Sequence, residues 1–235
     1  MPPGPRCGME DLPVPDRTSA DCPEPCDTCG KGVTFSPGGL YNDCKEINGR
    51  RILIVGLNDG NGLKDGKTFE GESRAACTQR FKQAVLAGCG SWRFGILLEA
   101  IAEALGIHAD LADMLDKVNF CNIISCTPKA GGSEKHVSQK MKDGCLARIG
   151  CGKHELNLYL NLDPTLVILV GRKVEGLWPR VQCLLTITGT RAIEVPHPSL
   201  QNINLHMKGR NKEERDQSYK RTVKQEITAG LQSDT

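Results

Sequence analysis

The sequence predicts an α/β fold, a three-layer αβα domain with a central four-stranded parallel sheet. Four short apolar runs ending in turn residues are typical of strands buried on both faces. Helical patterns separate these runs, and strands that alternate with helices form parallel sheets covered by helices. The length, 235 residues, suits one such domain with an appendage.

The four predicted strands all lie after the first fifty residues. Each is a continuous run of mostly apolar residues, and two of them end in glycine. They span residues 51–56, 118–124, 166–171 and 191–195.

Helices are predicted between the strands. The clearest spans residues 93–106, because its apolar residues recur every three or four positions and share one helix face. These residues are Phe94, Leu97, Leu98, Ile101, Ala102 and Leu105. Gly106 is expected to end this helix. The other predicted helices span residues 73–87, 109–117, 137–147, 152–161 and 212–230.

Charge divides the chain into two parts. Residues 1–46 hold four basic and eight acidic side chains, together with many prolines, glycines and cysteines. We expect them to form an irregular N-terminal segment in front of a domain spanning residues 47–235. The whole chain has a net charge of +2, so the domain is basic. A basic domain favours an anionic ligand such as nucleic acid.

Composition also excludes some classes of protein. No apolar run approaches the roughly 20 residues that span a bilayer, and the first residues lack the apolar core of a secretory signal. We therefore expect a protein that does not bind membranes and is located in the cytoplasm, or on the nucleoid if it is bacterial. We also expect a monomer. In that reducing compartment the 12 cysteines need an explanation other than disulfides.

Polar or turn-forming residues follow every predicted strand. Ligands of parallel sheets bind beyond the carboxyl ends of the strands. The segments to consider are therefore residues 56–60, 122–128, 171–172 and 196–199. None of them has the glycine pattern of a dinucleotide site or a P-loop.

Four ordered motifs at these positions resemble the uracil-DNA glycosylase superfamily, most closely its iron–sulfur-containing family 4 and family 5 branches. The first is Gly56-Leu-Asn-Asp-Gly60, followed by Gly66-Lys-Thr-Phe-Glu-Gly71. The second is Asn122-Ile-Ile-Ser-Cys126-Thr-Pro128. The third is a cysteine-led helix from Cys151 that runs into the strand ending at Gly171, and the last is His197-Pro198-Ser199.

The resemblance implies a monofunctional DNA glycosylase that acts on uracil-containing DNA. Such an enzyme hydrolyses the N-glycosidic bond of uracil, or of a related deaminated base, and thereby initiates base excision repair. By the resemblance, Phe69 stacks on the flipped base and Asn122 reads its Watson–Crick edge. His197 donates a hydrogen bond to O2 of the base as negative charge develops there. Gly56 and Ser199 belong to the same substrate pocket.

Two positions allow alternative interpretations. Asn58 matches the residue that positions the attacking water, but Asp59 stands where the motif usually has proline, so its carboxylate is the alternative. Leu200 is a candidate wedge that enters the duplex, or a residue that packs within its loop. Basic residues after it are candidate phosphate contacts: Lys208, Arg210, Lys212, Arg215, Lys220, Arg221 and Lys224.

The resemblance also implies a [4Fe–4S] cluster with four cysteine ligands, Cys26, Cys29, Cys126 and Cys151. The alternative is a zinc site formed by Cys22, Cys26, Cys29 and Cys44. Cys77, Cys89, Cys121 and Cys183 lack partners at motif spacing and are expected to be small core residues.

Two other functions remain open. The substitution at Asp59 is compatible with a catalytically inactive DNA-binding protein of this fold. The chain is also compatible with a glycosylase or hydrolase that acts on another modified base or on a nucleoside.

Overall fold

The computed structural model describes residues 33–35, 39–43, 45–58, 74–88, 93–124, 126–128, 138–152, 154–185, 190–199, 202–204 and 207–232. The described part of the chain includes no helix that is long and apolar enough to cross a membrane.

The main sheet contains four parallel strands, as predicted. They are β2 (Ile52–Asn58), β3 (Asn119–Ile124), β5 (Leu166–Val170) and β6 (Arg191–Val195), and their order across the sheet is β3-β2-β5-β6. A separate two-stranded ribbon pairs β1 (Val33–Phe35) with β4 (Cys126–Pro128) in antiparallel orientation. The ribbon was not predicted, because its strands are three residues long and far apart in the sequence.

Helices cover both faces of the sheet, which agrees with a three-layer αβα arrangement. One apolar core lies between the sheet and the helices α4 (Gln139–Gly150), α5 (Glu155–Leu160) and α6 (Arg172–Leu185). The other lies between the sheet and α2 (Phe94–Ala104), α3 (Leu111–Lys117) and α7 (Lys212–Gln232). α1 (Arg74–Leu86) contributes Cys77 to the first core and Phe81 to the second.

Because side chains alternate along each strand, neighbouring residues of one strand enter different cores. In β2, Leu53 and Val55 enter the core with α4 to α6, whereas Ile52 and Ile54 enter the opposite core. Successive side chains of a strand point to opposite faces, so strands covered on both faces, such as β2 and β5, are apolar at almost every position. This is why the strands appeared in the sequence as continuous runs.

The helix predicted at residues 93–106 is present, and Gly106 has the left-handed φ of +63° expected after a helix end. In contrast, α6 was not predicted. Its apolar residues Val174, Leu177, Trp178 and Val181 have helical spacing and are buried, but Pro179 lies within the helix and is unfavourable there. The parallel pairing of β5 with β6 requires a crossover connection of this kind.

Residues 39–43 extend the outer edge of the sheet beside β3. Leu40 forms an antiparallel bridge with Phe120, with N–H to O=C distances of 3.2 and 3.1 Å. The buried Asn42 donates from Nδ2 to the carbonyls of Leu115 and Val118 at 2.8 and 2.6 Å. Residues 39–43, which belong to the N-terminal segment predicted to be irregular, therefore pack in the core.

A lysine of α1 also helps to hold residues 39–43 against the domain. Lys82, which is 9% exposed, donates to Asn42 Oδ1 at 3.3 Å and to Asp116 Oδ1 at 2.6 Å. The hydrogen bond from Lys82 lowers the pKa of the Asp116 carboxyl. The buried ammonium is thus paired, as a buried charge must be.

Candidate functional site

The carboxyl ends of the four parallel strands form the carboxyl edge of the sheet. Gly56, near the end of β2, lies opposite Asn122 of β3. Gly171 directly follows β5, and His197 follows β6 by two positions. Because β2 and β5 are neighbours, the structure brings Asn122 and His197 to the same edge, from either side of the β2–β5 pair.

Asn122 is a fully buried polar side chain, with 0% exposure. Within the described part of the chain, neither its Oδ1 nor its Nδ2 has a hydrogen-bond partner. An unpaired buried polar group costs about 1–3 kcal/mol of stability, and such groups are rare in folded proteins. A carboxamide offers one acceptor and one donor group, so it can pair with a group that carries both.

Gly56 provides the space that the Asn122 side chain occupies. A Cβ atom at Gly56 would lie 2.3 Å from Asn122 Oδ1 and 3.2 Å from Cε2 of Phe120. A contact of 2.3 Å is far shorter than van der Waals packing permits. Glycine at this position therefore allows the carboxamide to lie across the neighbouring strand.

His197 has a defined ring orientation. Its Nδ1 accepts a hydrogen bond from the Ser199 backbone N–H at 3.2 Å. In the neutral ring this bond favours the tautomer that carries its proton on Nε2. The imidazole can then donate from Nε2 without first becoming charged.

The loop that follows β6 is held by its own side chains and by β5. Asn202 donates from Nδ2 to the His197 carbonyl at 2.8 Å, and Ser199 Oγ accepts from the Asn202 backbone N–H at 3.2 Å. Gly171 has φ +91°, and a Cβ atom there would lie 3.3 Å from His197 Cβ. Ser199 therefore caps the helical turn at residues 202–204, and Gly171 leaves room for the His197 side chain.

Several predicted site residues lie outside the described residues: Asp59, Phe69 and Leu200. Asn58 ends β2 at the carboxyl edge, but its side chain also lies outside the described part. The choice between Asn58 and Asp59 as the residue that positions water therefore stays open.

The β1–β4 ribbon bears on the predicted cluster. Cys126 pairs with Phe35, the last residue of β1, whereas Val33, the residue of β1 nearest to Cys29 in the sequence, pairs with Pro128. The thiol of Cys151 is exposed at the end of α4 and donates to the Arg148 carbonyl at 3.3 Å.

The other predicted ligands, Cys22, Cys26, Cys29 and Cys44, lie outside the described residues, as does the side chain of Cys126. Among the described side chains, no group of three or more histidines, cysteines or acidic residues could hold a metal ion.

The remaining described cysteines behave mostly as predicted. Cys77 and Cys121 are fully buried, and burial raises the pKa of the Cys121 thiol well above its ordinary value, with Glu155 adding to the increase. A thiol that stays protonated is a poor metal ligand. The prediction for Cys183 is wrong, because this residue is exposed on the outer side of α6.

An open groove of about 700 Å³ lies at the start of α7. The carboxylate of Glu214 in its wall is already engaged, since it accepts from the Arg210 backbone N–H at 2.6 Å and from Asn211 Nδ2 at 3.3 Å. The exposed cations Lys208 and Arg221 also line the groove. The exposed carboxylate of Glu213 lines the groove as well, so the lining holds two cations and two carboxylates.

Lys220 differs from the other predicted phosphate contacts. Its Nζ lies 2.5 Å from Glu99 Oε2 and 3.9 Å from Glu103 Oε1, and its side chain is only 16% exposed. Lys220 therefore joins α7 to α2. The more exposed cations of this region are Lys208, Arg210, Lys212, Arg221 and Lys224.

Sequence reasoning missed Asn202 as a contact of the His197 loop. Gly171 was identified from the sequence as a strand end and as part of a candidate segment, but its contact with His197 was not. An asparagine three positions after the loop serine is a weak signal of capping, whereas no local signal identifies the approach of Gly171. The comparisons with models of known protein families and with curated proteins gave no match for this chain.

Proposed function

We propose that this chain is a monofunctional DNA glycosylase with a uracil-DNA glycosylase-like fold, which hydrolyses the N-glycosidic bond of uracil or a related deaminated base in DNA. The observation that carries this proposal is the buried carboxamide of Asn122 at the carboxyl edge, which has no hydrogen-bond partner among the described residues. A deaminated base carries an N–H next to a carbonyl oxygen. One carboxamide satisfies both groups at once, with Oδ1 accepting from N3–H and Nδ2 donating to O4 of uracil.

His197 acts on the leaving group. As the bond between the sugar and the base breaks, its electron pair moves to the base and negative charge develops on O2. The Nε2–H donor favoured by the Ser199 contact stabilises that oxygen. A preorganised donor of this kind is worth about 10²–10³-fold in rate.

Water completes the reaction at the sugar. The C1′ carbon becomes an oxocarbenium-like centre, a water molecule adds to it, and the released proton passes to solvent. Asn58 or Asp59, at the end of β2, orients this water. The sequence has no lysine at either position, so the product is an abasic site formed by hydrolysis and no Schiff base is expected.

Two exposed cations at the start of α7 support DNA as the partner. Lys208 and Arg221 line the groove together with the carboxylates of Glu213 and Glu214, and Glu214 accepts hydrogen bonds from Arg210 and Asn211. Neutralising phosphates with such cations gives binding that weakens as salt increases. A base must also leave the stack to reach a buried residue such as Asn122.

Cys26, Cys29, Cys126 and Cys151 would hold the [4Fe–4S] cluster in this proposal. Thiolate ligation by these residues would attach the N-terminal segment to the sheet and so supply structural stability. The ribbon formed by β1 and β4 supports such an attachment.

The function is tested with end-labelled oligonucleotides that contain one uracil, single-stranded or paired with guanine. The purified protein is incubated with each, and abasic sites are cleaved with alkali. We expect product from the wild type and a loss of at least about 100-fold in the single-turnover rate for Asn122→Ala and His197→Ala. Exposed residues of the same type provide matched controls, Asn161→Ala and His108→Ala, which should retain full rate.

Particular results would contradict the proposal. Failure of the folded wild type to form abasic sites in any uracil-containing DNA would exclude it and favour an inactive DNA-binding protein. Cleavage of deoxyuridine with intact DNA would instead indicate a nucleoside hydrolase. Full activity in Asn122→Ala would show that excision does not need this carboxamide, and this result would contradict the proposal.

A further inference from the structure

α7 contacts the backbone on the N-terminal side of His197. Tyr219 is fully buried, and its hydroxyl donates to the Pro196 carbonyl at 2.8 Å. That carbonyl belongs to the peptide group whose nitrogen is the backbone nitrogen of His197. The hydrogen bond therefore restrains the rotation of the peptide plane from which His197 projects.

The peptide after Pro198 is restrained at both of its polar atoms. Its oxygen, the Pro198 carbonyl, accepts from the Arg93 backbone N–H at 3.3 Å. Its nitrogen is the Ser199 N–H that donates to His197 Nδ1 at 3.2 Å. A movement of this peptide therefore changes the ring orientation and the tautomer preference of His197 together.

An ion pair links these two restraints. The guanidinium of Arg93 contacts the Asp216 carboxylate, and both side chains are mostly buried. Asp216 and Tyr219 are three positions apart in α7, so they lie on neighbouring turns of the same helix face. One face of α7 therefore contacts the backbone before His197 directly, through Tyr219, and the backbone after His197 indirectly, through Asp216 and Arg93.

The Tyr219 hydroxyl is a permanent donor. Burial raises its pKa well above the ordinary tyrosine value, so it remains protonated at any pH at which the protein is handled. Its contact with Pro196 does not depend on the charge state of the site.

We propose that Tyr219 is a positioning residue for His197, and that α7 sets the imidazole orientation through the Pro196 carbonyl. The inference rests on the proposed function, in which His197 donates to the departing base. Tyr219 does not touch the substrate. It acts by keeping the imidazole aligned, and a misplacement of about 1 Å can cost about 100-fold in rate.

The test compares Tyr219→Phe, which removes only the hydroxyl, with Tyr159→Phe. Tyr159 is equally suited to the substitution because it is also buried, at 1% exposure, but it lies in the opposite core. The first measurement is the imidazole ¹⁵N NMR spectrum of the free protein at about pH 8.5, where an ordinary histidine is neutral. The His197 resonances are assigned by their absence in His197→Ala.

We expect Tyr219→Phe to move the Nδ1 and Nε2 shifts of His197 toward each other, as the tautomer preference weakens. Single-turnover excision of uracil should fall about tenfold with little change in KM. Tyr159→Phe should leave both the His197 shifts and the rate unchanged.

Unchanged His197 shifts in a folded Tyr219→Phe protein would overturn the proposal. If this variant does not fold, Asp216→Asn provides the test. This change weakens the attachment of Arg93 and should move the His197 resonances in the same direction. Unmoved resonances there also overturn the proposal. The NMR result does not require catalysis, so an inactive wild type would refute the proposed function without deciding the role of Tyr219.

Discussion

Replacement of Gly56 by alanine should displace the Asn122 carboxamide. The new Cβ would lie 2.3 Å from Asn122 Oδ1, whereas carbon and oxygen in ordinary contact are separated by about 3.4 Å. The amide must therefore move by about 1 Å. Asn122 is fully buried, and overpacking of this kind costs about 1–3 kcal/mol.

The same displacement should reduce activity. If Asn122 reads the base, a shift of about 1 Å costs about 100-fold in the rate of excision. Stability is measured by urea unfolding, and activity by single-turnover cleavage of the uracil-containing oligonucleotide. Gly176→Ala is the matched control, because a Cβ there has no neighbour within 4 Å. Its position within α6 predicts a gain of up to about 1 kcal/mol and no change in rate.

A double-mutant cycle isolates the cause. Asn122→Ala removes the atom that the new Cβ would strike, so Gly56→Ala should cost about 1–2 kcal/mol less in that background. The contact of 3.2 Å with Phe120 remains in both backgrounds. An equal cost of Gly56→Ala with and without Asn122 would refute this explanation, as would a Gly56→Ala protein of full rate.

Two further predictions concern charge. Asp116→Asn should lose about 1 kcal/mol of unfolding free energy at about pH 7, a surface-like value because the carboxylate is 60% exposed. The hydrogen bond from Lys82 lowers the pKa of Asp116 in the folded state. This stabilisation is therefore present above the unfolded pKa of about 3.9 and is lost as the pH falls through the lower folded value. A difference between wild type and variant that persists at about pH 2 in urea unfolding would contradict this. Lys208→Ala and Arg221→Ala should each lower by about 1 the slope of log affinity against log salt for duplex DNA. Lys140→Ala in α4, on the other face of the sheet, should not change that slope, and equal slopes in all three variants would argue against phosphate binding at the groove.

Local patterns in the sequence were sufficient to predict most of the elements. The run at residues 166–171 forms the fully buried β5, and the apolar spacing at residues 93–106 forms α2, which Gly106 ends. Both signals are local, since they depend on burial of a strand on two faces and of a helix on one. α6 was not predicted, although its apolar residues have helical spacing. Pro179 is unfavourable within this helix, and packing against the sheet outweighs its cost.

The site was predictable only as a set of candidates. Asn122 and His197 were identified from the motifs that carry the resemblance, near the ends of predicted strands, and the structure brings both to the carboxyl edge. Their partners could not be foreseen in the same way. Tyr219 is 22 residues after His197 in the chain, and its hydrogen bond to Pro196 depends on how α7 packs.

Hydrophobic periodicity alone was enough for the α/β class, the four strands and most helices, because each element buries its apolar residues by local geometry. The tertiary structure determined which residues from different strands and helices lie next to each other. The strand order places Gly56 beside Asn122 and leaves that buried amide without a partner in the described residues. The packing of α7 brings Tyr219 to the loop of His197. Pairing between distant residues depends on strand order and helix packing, and neither is encoded in the spacing of neighbouring residues.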